Sequence, residues 1–120
     1  MKPDNIILEK SYNFSLRIIK LYIHLRAQKV ERELLIQLLK SGTSIGANVE
    51  EAVGAQSKSD FIHKFGIAYK ESRETSFWLR LFKDANIIGE KLSKSFLSDS
   101  EELKKILASI LKTSKGIKTA

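Results

Sequence analysis

The residues of this chain best suited to chemistry are a pair of carboxylates, Glu51 and Glu74, and two histidines, His24 and His63. Ser44, Asn48 and Glu51 recur at i, i+4 and i+7, so in a helix they share one face; Glu71 and Glu74 of a later helix are placed to meet them. A carboxylate and an amide held between helices serve either as an acid/base or ligand site, or as a hydrogen-bonded lock that sets helix register. No nucleophile or metal ligand accompanies them. Ser44, Asn48, Glu51 and Glu74 are therefore read as a structural polar cluster, and no catalytic residue is assigned.

Metal and cofactor chemistry fare no better. Asp60 and His63 share a face, but a di-metal bundle needs two Glu-x-x-His pairs on facing helices, and no second pair exists. The absence of cysteine excludes disulfides, thiolate metal sites and cysteine nucleophiles, and suits a reducing cytoplasm. Gly42 to Gly46 lacks the Gly-Lys-Ser/Thr ending of a phosphate loop and follows no strand. Neither a metal nor a cofactor is expected.

Basic residues form the other constellation. Arg17 and Lys20 lie on a polar face of the first helix, Arg73, Arg80 and Lys83 beside Trp78 on the third, and Lys105 and Lys112 along the fourth. Guanidinium forks suit phosphates, and Trp78 or Tyr69 would stack on an unpaired base if exposed. The plainer reading is a solvated face laced with i,i+4 pairs such as Asp60 with Lys64 and Arg80 with Asp84. A net charge of +7, concentrated toward the two ends of the chain, favours an anionic partner such as RNA, DNA or an acidic protein surface.

The elements that carry these side chains are all helical. With 120 residues, 42% hydrophobic and 29% charged, one proline and six glycines, the chain is one domain, residues 1–120, unlike a turn-rich β protein or a disordered one. Apolar spacing predicts helices at about 9–28, 30–55, 58–86 and 99–113, though Ile6-Ile7-Leu8 reads equally well as extended. Ser57 with Asp60, and Ser98 with Glu101, mark the starts of the third and fourth helices as capping boxes, and a loop is expected from about Asn86 to Leu97. The tail from Thr113, through Lys115, Gly116 and Lys118, is expected to fray. Short connections imply antiparallel neighbours, hence an all-α, up-down-up-down four-helix bundle. No apolar run is long enough to span a bilayer, so no membrane is expected and a soluble cytoplasmic protein is.

One stretch goes against local propensity. Ser41-Gly42-Thr43-Ser44-Ile45-Gly46-Ala47-Asn48-Val49-Glu50-Glu51-Ala52 places two glycines inside a helix, where each costs about 1 kcal/mol relative to alanine. Four residues apart, Gly42 and Gly46 share a face and leave a groove for another helix. The small residues Ala68, Ser72 and Thr75 of the third helix are the expected occupants.

That stretch, with Ala55-Gln56-Ser57-Lys58-Ser59-Asp60-Phe61-Ile62 and Ile67-Ala68-Tyr69-Lys70-Glu71-Ser72-Arg73-Glu74-Thr75, resembles a bacterial four-helix-bundle family. The family includes proteins encoded in intervening sequences of large-subunit ribosomal RNA genes, sometimes labelled ribosomal proteins, and accessory proteins of diversity-generating retroelements. The resemblance implies a homopentameric barrel with a basic surface, which in the retroelement branch binds nucleic acid and a reverse transcriptase. Family motif positions fall on Asn48, Glu51 and Glu74, while Ala52 stands where many relatives have glycine. The expected function is a non-enzymatic oligomer binding structured RNA or DNA through basic faces. The alternative is a scaffold or accessory subunit docking a protein partner, such as a nucleic-acid enzyme, through exposed Tyr22, Phe77, Trp78 and Phe82.

Overall fold

A computed structural model describes residues 3–116, in which four helices pack around one apolar core: α1 (Pro3–Ala27), α2 (Arg32–Val53), α3 (Lys58–Asp84) and α4 (Glu90–Ser114). At 1.5 Å per residue each helix is roughly 33–40 Å long, and the molecule measures 45 × 30 × 24 Å. Contacts join α1 to α2, α2 to α3, α3 to α4 and α4 to α1, while the backbones of diagonal helices stay apart among the described residues. Residue pairing across each seam runs in opposite directions, as in Lys10 with Glu102 and Arg17 with Ser95. The result is the expected up-down-up-down bundle, all-α throughout the described residues.

The core is filled from all four helices. Phe14, Ile18 and Leu25 of α1, Leu35, Ile45 and Val49 of α2, Phe65, Leu79 and Phe82 of α3, and Phe96, Leu103 and Leu107 of α4 are almost wholly buried. The α3–α4 link is tight because α3 ends in a Schellman motif: Asn86 adopts φ 61°, and Ile87 N–H bonds to Phe82 O at 2.8 Å. Lys29 does the same after α1, with φ 64° and Val30 N–H bonded to Leu25 O.

Three expectations are corrected. Ile6-Ile7-Leu8 is helical, because Ile7 is fully buried on the same stripe as Phe14 and Ile18, so α1 begins well before residue 9. The expected loop up to Leu97 is instead the first two turns of α4, which starts at Glu90 after Gly89. Ser98 therefore lies inside the helix, exposed, and caps nothing; Ser93 turns inward, its Oγ donating to Glu90 O, while Phe96 enters the core against Phe14. Burial outweighs the preference of serine for caps. By contrast Ser57 does cap α3, its Oγ accepting Asp60 N–H at 3.0 Å. At the far end α4 extends to Ser114, and Lys118 of the expected frayed tail lies outside the described residues.

The third correction concerns the glycines. The groove of α2 faces α1, not the small residues of α3. A Cβ at Gly42 would stand 2.8 Å from Ile18 Cγ1, and one at Gly46 would stand 3.0 Å from Ser15 Oγ and 3.2 Å from the Ser11 carbonyl oxygen. Ile18 is fully buried and the Ser11 carbonyl is backbone, so neither neighbour yields freely. Gly66 of α3, in contrast, has open space around it. Gly42→Ala is therefore expected to lose about 1 kcal/mol net, overpacking outweighing the gain in helix propensity. Gly66→Ala should gain up to about 1 kcal/mol. Urea unfolding of the two variants should move in opposite directions.

Candidate nucleic-acid interface

The cations of this bundle divide into those spent on structure and those left free. Among the described residues four are paired: Lys10 with Glu102, Arg17 with Asp99, Lys64 with Glu51 and Lys104 with Glu101. Arg17 is the most heavily engaged. It crosses from α1 to bind Asp99 and Ser95 Oγ of α4, and its guanidinium lies 4.0 Å above the Phe96 ring. With its charge matched in this way, Arg17 closes the α1–α4 seam, around a small cavity of about 170 Å³ lined also by Lys10, Asn13 and Glu102.

Several of the unpaired cations gather on the opposite side of α4, while others, such as Arg26, Lys29 and Lys40, lie elsewhere on the surface. Two adjoining open depressions of about 450 and 460 Å³ run along the α3–α4 seam and share Leu97 and Glu101. Arg73 and Arg80 form the α3 wall, with Lys83 at its end, and Lys94 and Lys104 form the α4 wall. Arg73 and Arg80 are two turns apart, about 10 Å along one face. Lys94, Lys105 and Lys112 recur at eleven and seven residues, which keeps them on one stripe of α4. Arg73, Arg80, Lys83, Lys94, Lys105 and Lys112 are exposed and have no ion-pair partner among the described residues. Lys20 is exposed on α1, diagonal to α3, and stands apart from this groove.

The floor of the groove is built from hydroxyls. Ser76 and Ser100 are buried and share a 2.7 Å hydrogen bond, and Ser76 Oγ donates to Glu101 at 3.1 Å. Their small size lets α3 and α4 approach closely. The hydrogen bond from Lys104 holds the Glu101 carboxyl below the usual carboxylate range, with a further contribution from Ser76. Glu101 is thus already satisfied by its own neighbours, and the arginines opposite it remain available. None of the side chains lining the two depressions is aromatic. Such a surface can grip phosphates but offers no platform for bases.

The polar cluster is arranged differently from the sequence expectation. Asn48 Nδ2 donates to Ser44 O within α2, at 2.8 Å. Glu74 accepts Trp78 Nε1–H within α3, at 3.2 Å. Glu51 does cross to α3, but to Lys64 at 2.9 Å, an ion pair that raises the Lys64 pKa. Asn48 thus bonds only to the backbone of Ser44, while Glu51 and Glu74 are joined neither to that pair nor to each other, because each finds a nearer partner. Glu71, half-buried in α3, is pushed up in pKa by desolvation and then by the charge of Glu74. His24 is exposed beside Gln28, His63 is exposed, and no group of three potential metal ligands occurs among the described residues. Of the aromatics proposed for docking, Phe82 is buried and Tyr22 and Trp78 are partly buried; Phe77 alone is well exposed. A second exposed series, Tyr12, Leu16, Ile19 and Ile23, escaped the sequence reading, although its 4-3-4 spacing was legible beside the buried stripe of α1.

Fold and surface together define a small antiparallel helical bundle with a basic seam between α3 and α4. The chain belongs to the 23S rRNA-intervening sequence protein family, whose model matches residues 3–109. It is similar to a crystal structure from Bacteroides thetaiotaomicron VPI-5482, described as a protein with unknown function from the S23 ribosomal protein family. The two are 44% identical, the match covers 92% of this chain and 99% of the other, and the TM-score is 0.90. No curated protein matches the sequence. No helix among the described residues is long and apolar enough to cross a membrane.

The two perturbed glutamates have opposite linkage to pH. Glu101, lowered in the fold, contributes stability that is present above its unfolded pKa and is lost as pH falls through the folded value. Glu71, raised in the fold, costs stability at neutral pH, and that cost disappears as pH falls below the ordinary carboxylate range. Glu101→Gln is expected to lower the melting temperature at pH 7 and Glu71→Gln to raise it, with both differences shrinking below about pH 4. Thermal melts of both variants across that range check the signs.

Proposed function

We propose that this is a non-enzymatic, self-associating helical protein that binds structured RNA or DNA through backbone phosphates lying along the α3–α4 seam. The observation that carries the proposal is the composition of that seam: five cations line it against two carboxylates, Glu90 and Glu101, and Glu101 is already bound by Lys104 and Ser76. Arg73 and Arg80 present planar forks two turns apart, suited to successive contacts along a phosphate backbone. Without aromatic stacking, affinity comes mainly from phosphate neutralisation and counterion release, so recognition follows the shape of the nucleic acid rather than its sequence. The description of the family, from ribosomal RNA intervening sequences, is consistent with a structured RNA as the natural polyanion. Self-association, which the family resemblance puts at a pentamer, would repeat the basic seam around the assembly and multiply a net charge of +7 per chain.

Titration of a structured RNA, with duplex DNA alongside, at increasing salt tests this reading. Binding is expected to weaken steeply as salt rises. The double variant Arg73→Glu/Arg80→Glu should lose at least about tenfold in affinity near 50 mM salt and show a shallower salt slope. Arg17→Gln should instead lower the melting temperature and leave the slope in place, because Arg17 is engaged by α4. Unchanged affinity in the double variant would overturn the assignment of this seam.

A further inference from the structure

One carboxylate stands in the middle of the basic seam, where a surface built only to hold phosphates gains nothing from it. Ser76 Oγ donates to Glu101 Oε2 at 3.1 Å, and Arg73 and Arg80 lie three residues before and four residues after Ser76. Positions three and four apart on a helix are neighbours on one face, so Ser76 is about 4.5 Å along the axis from Arg73 and about 6 Å from Arg80. The bond to Ser76 therefore sets the Glu101 carboxylate across the seam at a level between the two arginines. All four side chains line one depression of about 450 Å³, and Glu101 also lines the adjoining one. Neither arginine forms an ion pair with it; its partners are Lys104 on Oε1 at 2.8 Å and Ser76 on Oε2. Glu90, the other carboxylate of the seam, lies in the depression that contains no arginine.

An ionised carboxylate accepts hydrogen bonds and donates none, with about four lone-pair sites to offer. The hydrogen bond from Lys104 holds the Glu101 carboxyl below the usual carboxylate range, so it is ionised at neutral pH. Lys104 and Ser76 occupy one site on each oxygen, and the Glu101 side chain is still 43% exposed, so acceptor capacity faces the depression. A fitting occupant brings a donor to this point and an anion to the arginine on either side. Between successive phosphates of a nucleic-acid strand lies the sugar, and the donor that an internal sugar carries is the 2′-hydroxyl of RNA. Deoxyribose presents only C–H bonds there, so DNA would strip water from the carboxylate and return no hydrogen bond. Bases are poorer candidates for the donor, because no aromatic side chain lines the seam to hold one.

We infer that Glu101 accepts a hydrogen bond from the 2′-hydroxyl of the ribose lying between the phosphates held by Arg73 and Arg80, so that the seam selects RNA over DNA. This rests on the phosphate binding proposed above and names the sugar that goes with those phosphates. The arginines supply affinity for either nucleic acid, and the carboxylate between them subtracts from it unless a hydroxyl is present. Selectivity thus comes from the sugar and the backbone and leaves base sequence unread.

Two hairpins of one sequence separate this contact from duplex shape: an RNA hairpin, and the same hairpin with each 2′-hydroxyl replaced by fluorine, which keeps the A-form stem, the phosphates and the bases but removes the donor. The wild type is expected to bind the RNA hairpin about tenfold more tightly, the value of one hydrogen bond to a charged group. Glu101→Ala should abolish that ratio, keep the steep weakening with salt, and bind the fluorinated hairpin at least as well as the wild type does. Lys104→Ala, which removes a neighbour but keeps the carboxylate, should retain the preference. Circular dichroism melts check that each variant is folded at the assay temperature. Where Glu101→Ala is not, Glu101→Gln carries the test and should cut the ratio to about threefold, since a neutral amide oxygen is the weaker acceptor. Equal binding of the two hairpins by the wild type overturns the contact. A ratio undiminished in the Glu101 variants overturns the role of Glu101, and a ratio lost equally in Lys104→Ala overturns it in favour of a general loosening of the seam. A wild type that binds neither hairpin overturns the phosphate-binding reading itself, and this inference with it.

Discussion

The close approach of α1 to α2 is the constraint on which the rest of this bundle depends. A methyl group at Gly42 would press on Ile18, and one at Gly46 on Ser15 Oγ and the backbone of Ser11, so either would force a neighbour to shift. A helix that carries two glycines is weakened locally, and the contact offsets that cost by letting Ile18 and Ile45 pack in a core with no exposed edge. It also fixes the rotation of α1. With Ile18 turned toward α2 and Phe14 toward Phe96, Arg17 must face α4, and Tyr12, Leu16, Ile19 and Ile23 must face outward.

The remaining seams follow from small hydroxyls and selective ion pairing. Buried Ser72, Thr75, Ser76, Ser93 and Ser100 keep α3 and its neighbours close without leaving a polar atom unsatisfied, since several donate to their own helix or to one another. The carboxylates of α4 are distributed to both of its sides: Asp99 and Glu102 take Arg17 and Lys10 of α1, while Glu101 takes Lys104 and Ser76. Cations beyond that supply, Arg73, Arg80, Lys83 and Lys94 among them, are left without an ion-pair partner among the described residues and outnumber the carboxylates on one face. The basic groove is thus a consequence of where acidic residues are absent as much as of where basic ones are present.

Much of the bundle was legible in the chain because helical periodicity is a local signal. The apolar spacing of α1 and α2, the Ser57 cap and the absence of β signals all read correctly, and none needs knowledge of distant residues. The first half of α4 did not, because Ser93, Ser95 and Ser98 look like loop and cap residues until Phe96 is seen to enter the core against Phe14 and Ser95 to meet Arg17 of α1. The candidate site was legible as a set of basic residues on three helices, but not as a groove. Which cation is free depends on which carboxylate lies across a seam, and Asp99 is 82 residues from Arg17.

By itself, then, the sequence determined that this chain makes four amphipathic helices, that two glycines mark a close contact, that no cysteine chemistry is available, and that basic side chains outnumber acidic ones. Those properties belong to single residues or to neighbours within a turn or two. Tertiary structure alone decided that the glycines receive α1 rather than α3, that Arg17 is part of the scaffold while Arg73 and Arg80 are free, and that the Asn48 and Glu51 side chains bond to separate partners. Each of these is a choice between side chains far apart in the chain and near in space. Local propensity carries no information about such choices, because they are settled by the rotation and register that each helix adopts when its neighbours pack.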